Sequence, residues 1–271
     1  MGRRRAWTWS PFRNLCSAAG SINTRARAYE PGVELLRVEE LGRNGRFRDV
    51  SFSLHSGEVL GVTGLLGSGR TALAKALFDL APADQGRISV CGRPARVASP
   101  LDAIRLGIGY VPADRLTEGL FLPQSIARNL VVSSLDRLTD AAGVLSRARM
   151  RSLVDEWVRR LHVVTRDAGL PASSLSGGNQ QRVMLARWLA RTPRVLILNG
   201  PTVGVDVGSK ADIHAIIARL AAEGMGVIVI SDDIPELLAA CDRILIMKSG
   251  RMTGQVARAE AENNLAHRLA G

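Results

Sequence analysis

The stretch Val59-Leu60-Gly61-Val62-Thr63-Gly64-Leu65-Leu66-Gly67-Ser68-Gly69-Arg70-Thr71 decides how this chain is read. A short apolar strand, taken as Glu58–Thr63, runs into a glycine-rich turn. From Arg70 to Leu80 the pattern becomes helical, with Leu73, Leu77 and Leu80 on one face. Gly64, Leu65, Leu66, Gly67, Ser68, Gly69, Arg70 and Thr71 have the spacing GxxxxGK[ST], with arginine in the lysine position. The spacing alone is weak, because 27 glycines produce GxxxxG about three times by chance. Its context strengthens it: a strand before and a helix after aim backbone N–H groups and the positive helix end at an anion. A tight strand-to-helix turn without a ligand is the alternative. Lysine presents a compact point charge, whereas a guanidinium is planar and favours bidentate contact. Arg70 therefore weakens the case for catalysis more than the case for anion binding, and Thr71 remains available to ligate Mg2+.

Outward from this turn, strands are expected at Val33–Val38, Phe47–Leu54, Arg87–Cys91, Ile108–Pro112, Val195–Leu198, Val227–Ile230 and Arg243–Met247. Helices are expected at Lys210–Glu223 and Ile234–Ala240, and residues 114–191 read as mostly helical, Met150–His162 most clearly. Short, fully apolar strands alternating with helices imply an α/β fold with a parallel sheet buried on both faces. The helical middle interrupts that alternation and reads as an inserted subdomain. No internal repeat is present at any period.

Composition bounds the remainder. The chain has 271 residues, 46% of them hydrophobic, which suits one large domain or two small ones and excludes wholesale disorder. No apolar run approaches the ~20 residues of a membrane-spanning helix. The formal charge is +11, and apart from Lys75, Lys210 and Lys248 the basic residues are all arginine, a skew that a GC-rich coding sequence accounts for. Residues 1–30 carry six arginines against Glu30, so this leader holds nearly half of the net charge. It reads as a disordered basic tail, and no secretory signal is expected because no apolar core follows the arginines. With no reading helix and no stacking aromatic cluster, nucleic acid is not an expected partner. Cys16, Cys91 and Cys241 are scattered, as reduced thiols would be, and His55, His162, His214 and His267 lack metal-ligand spacing.

A second glycine motif lies at Leu175, Ser176, Gly177, Gly178, Asn179 and Gln180, followed by Gln181 and Arg182. Two adjacent glycines precede a helix on which Met184, Leu185, Trp188 and Leu189 form an apolar stripe. Bare N–H groups again stand at a helix start, here beside a serine hydroxyl able to meet a phosphate.

LSGGNQQR, about 105 residues after a phosphate loop, resembles the signature motif of the ATP-binding subunits of ABC transporters. The resemblance covers nearly everything from Val33 to Val256. Val195–Leu198 with Asn199, Gly200, Pro201 and Thr202 is similar to the Walker B strand, usually four apolar residues then Asp-Glu-Pro-Thr. Gly204–Lys210 resembles the D-loop, Asp232 falls at the switch histidine, and Ala113 in Tyr110–Arg115 falls where the Q-loop glutamine is usual. A hairpin turn is the other reading of Asn199-Gly200, but no convincing returning strand follows.

The resemblance implies a P-loop NTPase fold of the ABC type: a RecA-like parallel-sheet core, an antiparallel β subdomain and a helical subdomain at about 114–191. The domain spans 31–257, between the 1–30 leader and a C-terminal helical tail at 258–271. Implied cofactors are ATP and Mg2+, with Thr71 on the metal. Asn199 lacks the charge that orients the metal, Gly200 lacks the general base, a loss worth ~10²–10⁴ in rate, and Asp232 sets a negative charge near the outermost phosphate. Binding is then weakened and no catalytic position is intact.

Arg70, LSGGNQQ, YVPADRLTEGL and GVDVGSK together resemble the second, degenerate ATP-binding domain of tandem importers for ribose, xylose, galactose and, in some relatives, nucleosides or autoinducer-2. Such a domain lends its signature to an active ATP site on a second nucleotide-binding domain. It docks on a transmembrane permease, here near Ala113–Leu122, at the cytoplasmic face of the cell membrane, where it is peripheral, and it serves an external solute-binding protein indirectly. Weak or absent ATPase activity is expected of the isolated chain. At 271 residues the chain is half the usual tandem length, so it reads either as a half-size subunit or as the rear of a tandem protein. The rival reading is a structural or regulatory partner that never binds ATP.

Overall fold

The structure, a computed structural model, describes residues 31–140 and 142–258. The expected 1–30 leader, most of the 258–271 tail, Cys16 and His267 lie outside the described residues.

The chain first builds an antiparallel sheet. β1 (Glu34–Arg43) turns into β2 (Phe47–His55), and each carries buried and exposed residues as a strand with one packed face should. β3 (Val59–Thr63) leaves this layer and is buried at every position. After α1 (Arg70–Leu77), β4 (Gln85–Val90) and β5 (Arg93–Ala95) complete the first sheet in the order β2-β1-β4-β5. β1 continues past Val38 because both neighbours keep pairing with it: Leu41 lies opposite Val50, Arg43 opposite Phe47 and Gly42 opposite Gln85.

Next come α2 (Pro100–Arg105), capped by Ser99, and β6 (Ile108–Val111). A turn of π-helix at Arg115–Gly119 opens the helical insertion, made of α3 (Ile126–Val131), α4 (Leu135–Leu138), α5 (Arg147–Arg160) and α6 (Gly177–Leu189). The chain then alternates through β7 (Val195–Asn199), α7 (Val207–Ala222), β8 (Gly226–Ile230), α8 (Ile234–Ala240), β9 (Arg243–Lys248) and β10 (Arg251–Ala257). The second sheet has the order β10-β9-β3-β8-β7-β6. It is parallel except at its edge, where β10 runs antiparallel to β9.

Successive residues of the parallel strands feed opposite layers, as a side-chain period of two requires. Leu196, Leu198, Val227 and Val229 join the core shared with the helical insertion, α7 and α8. Val195, Ile197, Ile228 and Ile230 join the core that includes α1 and the antiparallel sheet. This double burial is why the strands read as unbroken apolar runs.

Three expectations change. Helix α1 stops at Leu77, so Leu80 is exposed, and the next buried side chain is Phe78, which stacks on Tyr110 at 5.5 Å and meets Trp188 edge-on at 5.3 Å. Helix α7 starts at Val207 rather than Lys210, because the Asp206 carboxylate accepts from the Ser209 N–H at 2.9 Å and caps it. β5 and β10 are additional strands, each too short or too polar to stand out as an apolar run. Within the insertion one charge is buried: Arg187 donates to the carbonyls of Asn129 and Gly119 at 2.7 and 2.6 Å, and burial lowers its pKa to about 10.

Candidate functional site

The loop Gly64–Gly69 joins β3 to α1, and its glycines are required by geometry. A Cβ on Gly64 would sit 2.3 Å from the Met247 carbonyl oxygen. Gly67 and Gly69 have φ of 82° and 93°, a region that glycine adopts without strain. Ser68 donates its N–H to the Leu65 carbonyl, and its own carbonyl accepts from Gly250, pinning the loop to the turn between β9 and β10. Leu65 and Leu66 are exposed, while the Ser68 hydroxyl is buried without a hydrogen-bond partner. Gly69 caps α1 with no side-chain acceptor, so the first N–H groups of the helix, at Arg70 and Thr71, remain to be satisfied. A loop of this shape with an orphan buried hydroxyl fits the phosphates of a nucleotide.

Arg70 is mostly buried, and both ends of its guanidinium are engaged. Nη1 donates to the Gly64 carbonyl and Nη2 to Asp232 Oδ2 at 2.8 Å. Arg70 and Asp232 thus face each other. Thr71 is exposed on the first turn, where its hydroxyl could hold a metal carried in with the phosphates. Among the described residues no three His, Cys, Asp or Glu side chains cluster as metal ligands.

Asn199 ends β7, buried, and its amide donates to the Tyr110 hydroxyl at 3.4 Å. Burial raises the Tyr110 pKa, a rise that the Asn199 contact opposes. Gly200 follows with φ of 61°, and a Cβ there would meet Val203 Cγ2 at 2.8 Å and the Ala113 methyl at 3.4 Å. This position is shaped for glycine.

The second motif is built by packing. Ser176, exposed, caps α6; its hydroxyl accepts from the Asn179 N–H at 3.5 Å and from the Asn179 amide at 3.0 Å. Asn179 Oδ1 accepts in turn from the Val164 N–H at 2.8 Å, and Leu175 packs half-buried on the core. Gly177 leaves room for Arg115 Nη2 and the Gly204 carbonyl, each 3.1 Å from where its Cβ would be. A Cβ on Gly178 would lie 2.2 Å from Ser209 Oγ.

Arg115, which the sequence reading quoted without giving it a role, is the link. Its Nε donates to Gln180 Oε1 at 3.1 Å, Nη1 to the Val203 carbonyl at 2.8 Å and Nη2 to the Gly204 carbonyl at 2.9 Å. On the same short turn, Glu118 accepts from Lys75 of α1 at 2.8 Å, a bond that raises the Lys75 pKa. The turn after β6 therefore holds both the helix of the first glycine loop and the start of the second motif.

Glu236 is a further residue that the sequence did not single out. It is 3% exposed, accepts from Thr202 Oγ1 at 2.7 Å and from Ser231 Oγ at 2.5 Å, and faces His214 at 3.6 Å. Burial pushes its carboxyl up, but His214, Ser231 and Thr202 more than offset that and hold it below its ordinary value. No spacing signal marks it, because its partners come from three separate segments.

A strand–glycine loop–helix at the centre of a parallel sheet, with a helical insertion that presents a second glycine motif, defines a P-loop nucleotide-binding protein of the ABC type. The family model described as ABC transporter matches residues 47–203, and the chain belongs to that family. It is 44% identical over 235 residues to the ribose import ATP-binding protein RbsA 1 of Rubrobacter xylanophilus, covering 87% of this chain and 47% of that protein. It is 43% identical to a putative ribose/galactose/methyl galactoside import ATP-binding protein of Pseudomonas fluorescens, covering 88% of this chain and 46% of that one. The chain thus spans about half the length of these relatives. Among solved structures, two ATP-binding cassettes of ABC transporters share the fold, with TM-scores of 0.75 and 0.72 at 21% and 22% identity. They cover 88% and 86% of this chain and are themselves covered to 97% and 95%.

Proposed function

We propose that this chain is an ATP-binding subunit or domain of an importer for ribose or a similar small solute, with a cis nucleotide site that binds but turns over poorly. Its signature, Leu175–Gln180, completes the active site of a second nucleotide-binding domain. One observation carries the reading: the signature is fully built, while Asn199 and Gly200 supply neither a charge for the metal nor a base for water. Bound ATP with Mg2+ would supply the phosphoanhydride chemistry. In this chain the loop N–H groups would hold phosphate, Thr71 would meet the metal, and Ser176 would present its hydroxyl to the partner's nucleotide.

Residues 113–122 include the exposed Leu116 and Phe121 and are the surface proposed to meet a transmembrane permease at the cytoplasmic membrane face. Among the described residues no helix is long and apolar enough to cross a membrane. An external solute-binding protein would take part only through the permease.

The test measures binding of a fluorescent ATP analogue and steady-state phosphate release by the purified chain, alongside ribose uptake in cells lacking it. Binding, little release and lost uptake are expected. Turnover at ordinary ABC rates sinks the division of labour. The Arg70–Asp232 pair favours a second reading, a structural partner that never binds ATP, and absence of binding would select it.

A further inference from the structure

Two side chains that differ from the family pattern, in segments 162 residues apart, close on each other at the mouth of the phosphate loop. The Arg70 side chain is 13% exposed and points back over its own loop to the Gly64 carbonyl. Asp232 follows β8 and its side chain is 72% exposed, so it approaches the arginine from the solvent side. Among the described residues no hydrogen bond or ion pair ties Asp232 to any other cation.

From this geometry we infer that Asp232 is a built-in competitor for Arg70, an internal anion that latches the phosphate loop until a nucleotide phosphate displaces it. The inference rests on the proposed cis nucleotide site and adds its regulation. A guanidinium has directed donors, and one on each Nη of Arg70 is already engaged, with a carbonyl and with a carboxylate. An incoming phosphate must therefore take Arg70 from Asp232 and also push the carboxylate away. Release of Asp232 would leave the backbone in place, because its neighbours Ser231 and Asp233 are bonded to each other and to Glu236 and Lys210.

The size of the effect follows from exposure. An ion pair with one partner in solvent is worth little, so removal of Asp232 should tighten binding about two- to fivefold, not by orders of magnitude. The gain should shrink in about 0.5 M salt, where exposed charges are screened.

The experiment measures affinity for a fluorescent ATP analogue in the wild-type chain, Asp232→Asn, Arg70→Ala and the double variant, with a thermal melt of each to show that it is folded. Tighter binding by Asp232→Asn is expected, with at least half of that gain absent when Arg70 is already alanine. Equal or weaker binding by Asp232→Asn overturns the latch. An undiminished gain in the Arg70→Ala background overturns it too, because the aspartate would then act as a bare charge. Binding by none of the four overturns both the latch and the cis nucleotide site, whereas equal binding by all removes only the latch.

Discussion

Arg115 donates through Nε to the side-chain oxygen of Gln180, 3.1 Å away, and so ties the turn after β6 to the first turn of α6. The same guanidinium reaches the carbonyls of Val203 and Gly204. The motif proposed to face a second nucleotide-binding domain and the turn proposed to meet a permease are thus joined by one side chain that need not touch nucleotide. Arg115→Ala should cost about 1–3 kcal/mol, since several charge-assisted bonds vanish together. Arg115→Lys should recover only part of this, because one ammonium cannot span three acceptors. Urea unfolding measures the cost, and hydrogen exchange over 175–182 should rise in both variants. Full recovery by lysine would refute the fork.

Gly178→Ala places a methyl where Ser209 Oγ stands. A closely packed site resists extra volume, so a loss of about 1–3 kcal/mol is expected. Ser209→Gly alone should be mildly destabilising, and in combination it should restore most of the loss. Additive losses in the double variant would show that space at Ser209 is not the cause. Melting temperatures of the four proteins decide it.

Asn199 and Gly200 respond unequally to acidic replacements. Asn199→Asp keeps the side-chain shape, and the Tyr110 hydroxyl that accepts from the amide can turn to donate to the carboxylate, so the chain should fold. Gly200→Glu places a side chain at φ of 61° and within 2.8 Å of Val203. It should cost about 1–2 kcal/mol for the left-handed backbone alone. Combining it with Val203→Ala should recover the steric part only. A Gly200→Glu protein as stable as wild type would contradict the observed backbone.

Glu236 sets a pH dependence. Its carboxyl is held below its ordinary value of 4.5 in the fold, so it favours the native state above that pH. The contribution is lost as pH falls through the lower folded value, because the folded chain then has to take up a proton on a buried acceptor. Lys210 and Asp233, paired at 3.1 Å, and His214 face the same network. Glu236→Gln should flatten the fall in stability below about pH 4.5, measured as the urea midpoint. An unchanged slope would remove Glu236 from the account.

The sequence alone determined the alternation of buried strands and helices, because residues buried on both faces leave unbroken apolar runs such as Val195–Leu198 and Val227–Ile230. It also located both glycine motifs, since a left-handed turn at Gly67 or Gly69 and close packing at Gly177 or Gly178 each demand a residue without a side chain. The ends of α1 and α7 and the edge strands β5 and β10 were less legible, because caps and antiparallel partners fix them rather than periodicity.

What only the tertiary structure decided was who meets whom. Arg70 and Asp232 read separately as two losses, a weaker phosphate ligand and a repelling charge, yet in the fold they are one ion pair. Arg115 belonged to a quoted segment without a role until Gln180, Val203 and Gly204 converged on it. Glu236 carried no signal at all. Hydrogen bonds and ion pairs act over about 3 Å in space with no regard to separation along the chain, and a single sequence holds no record of the distances that folding closes.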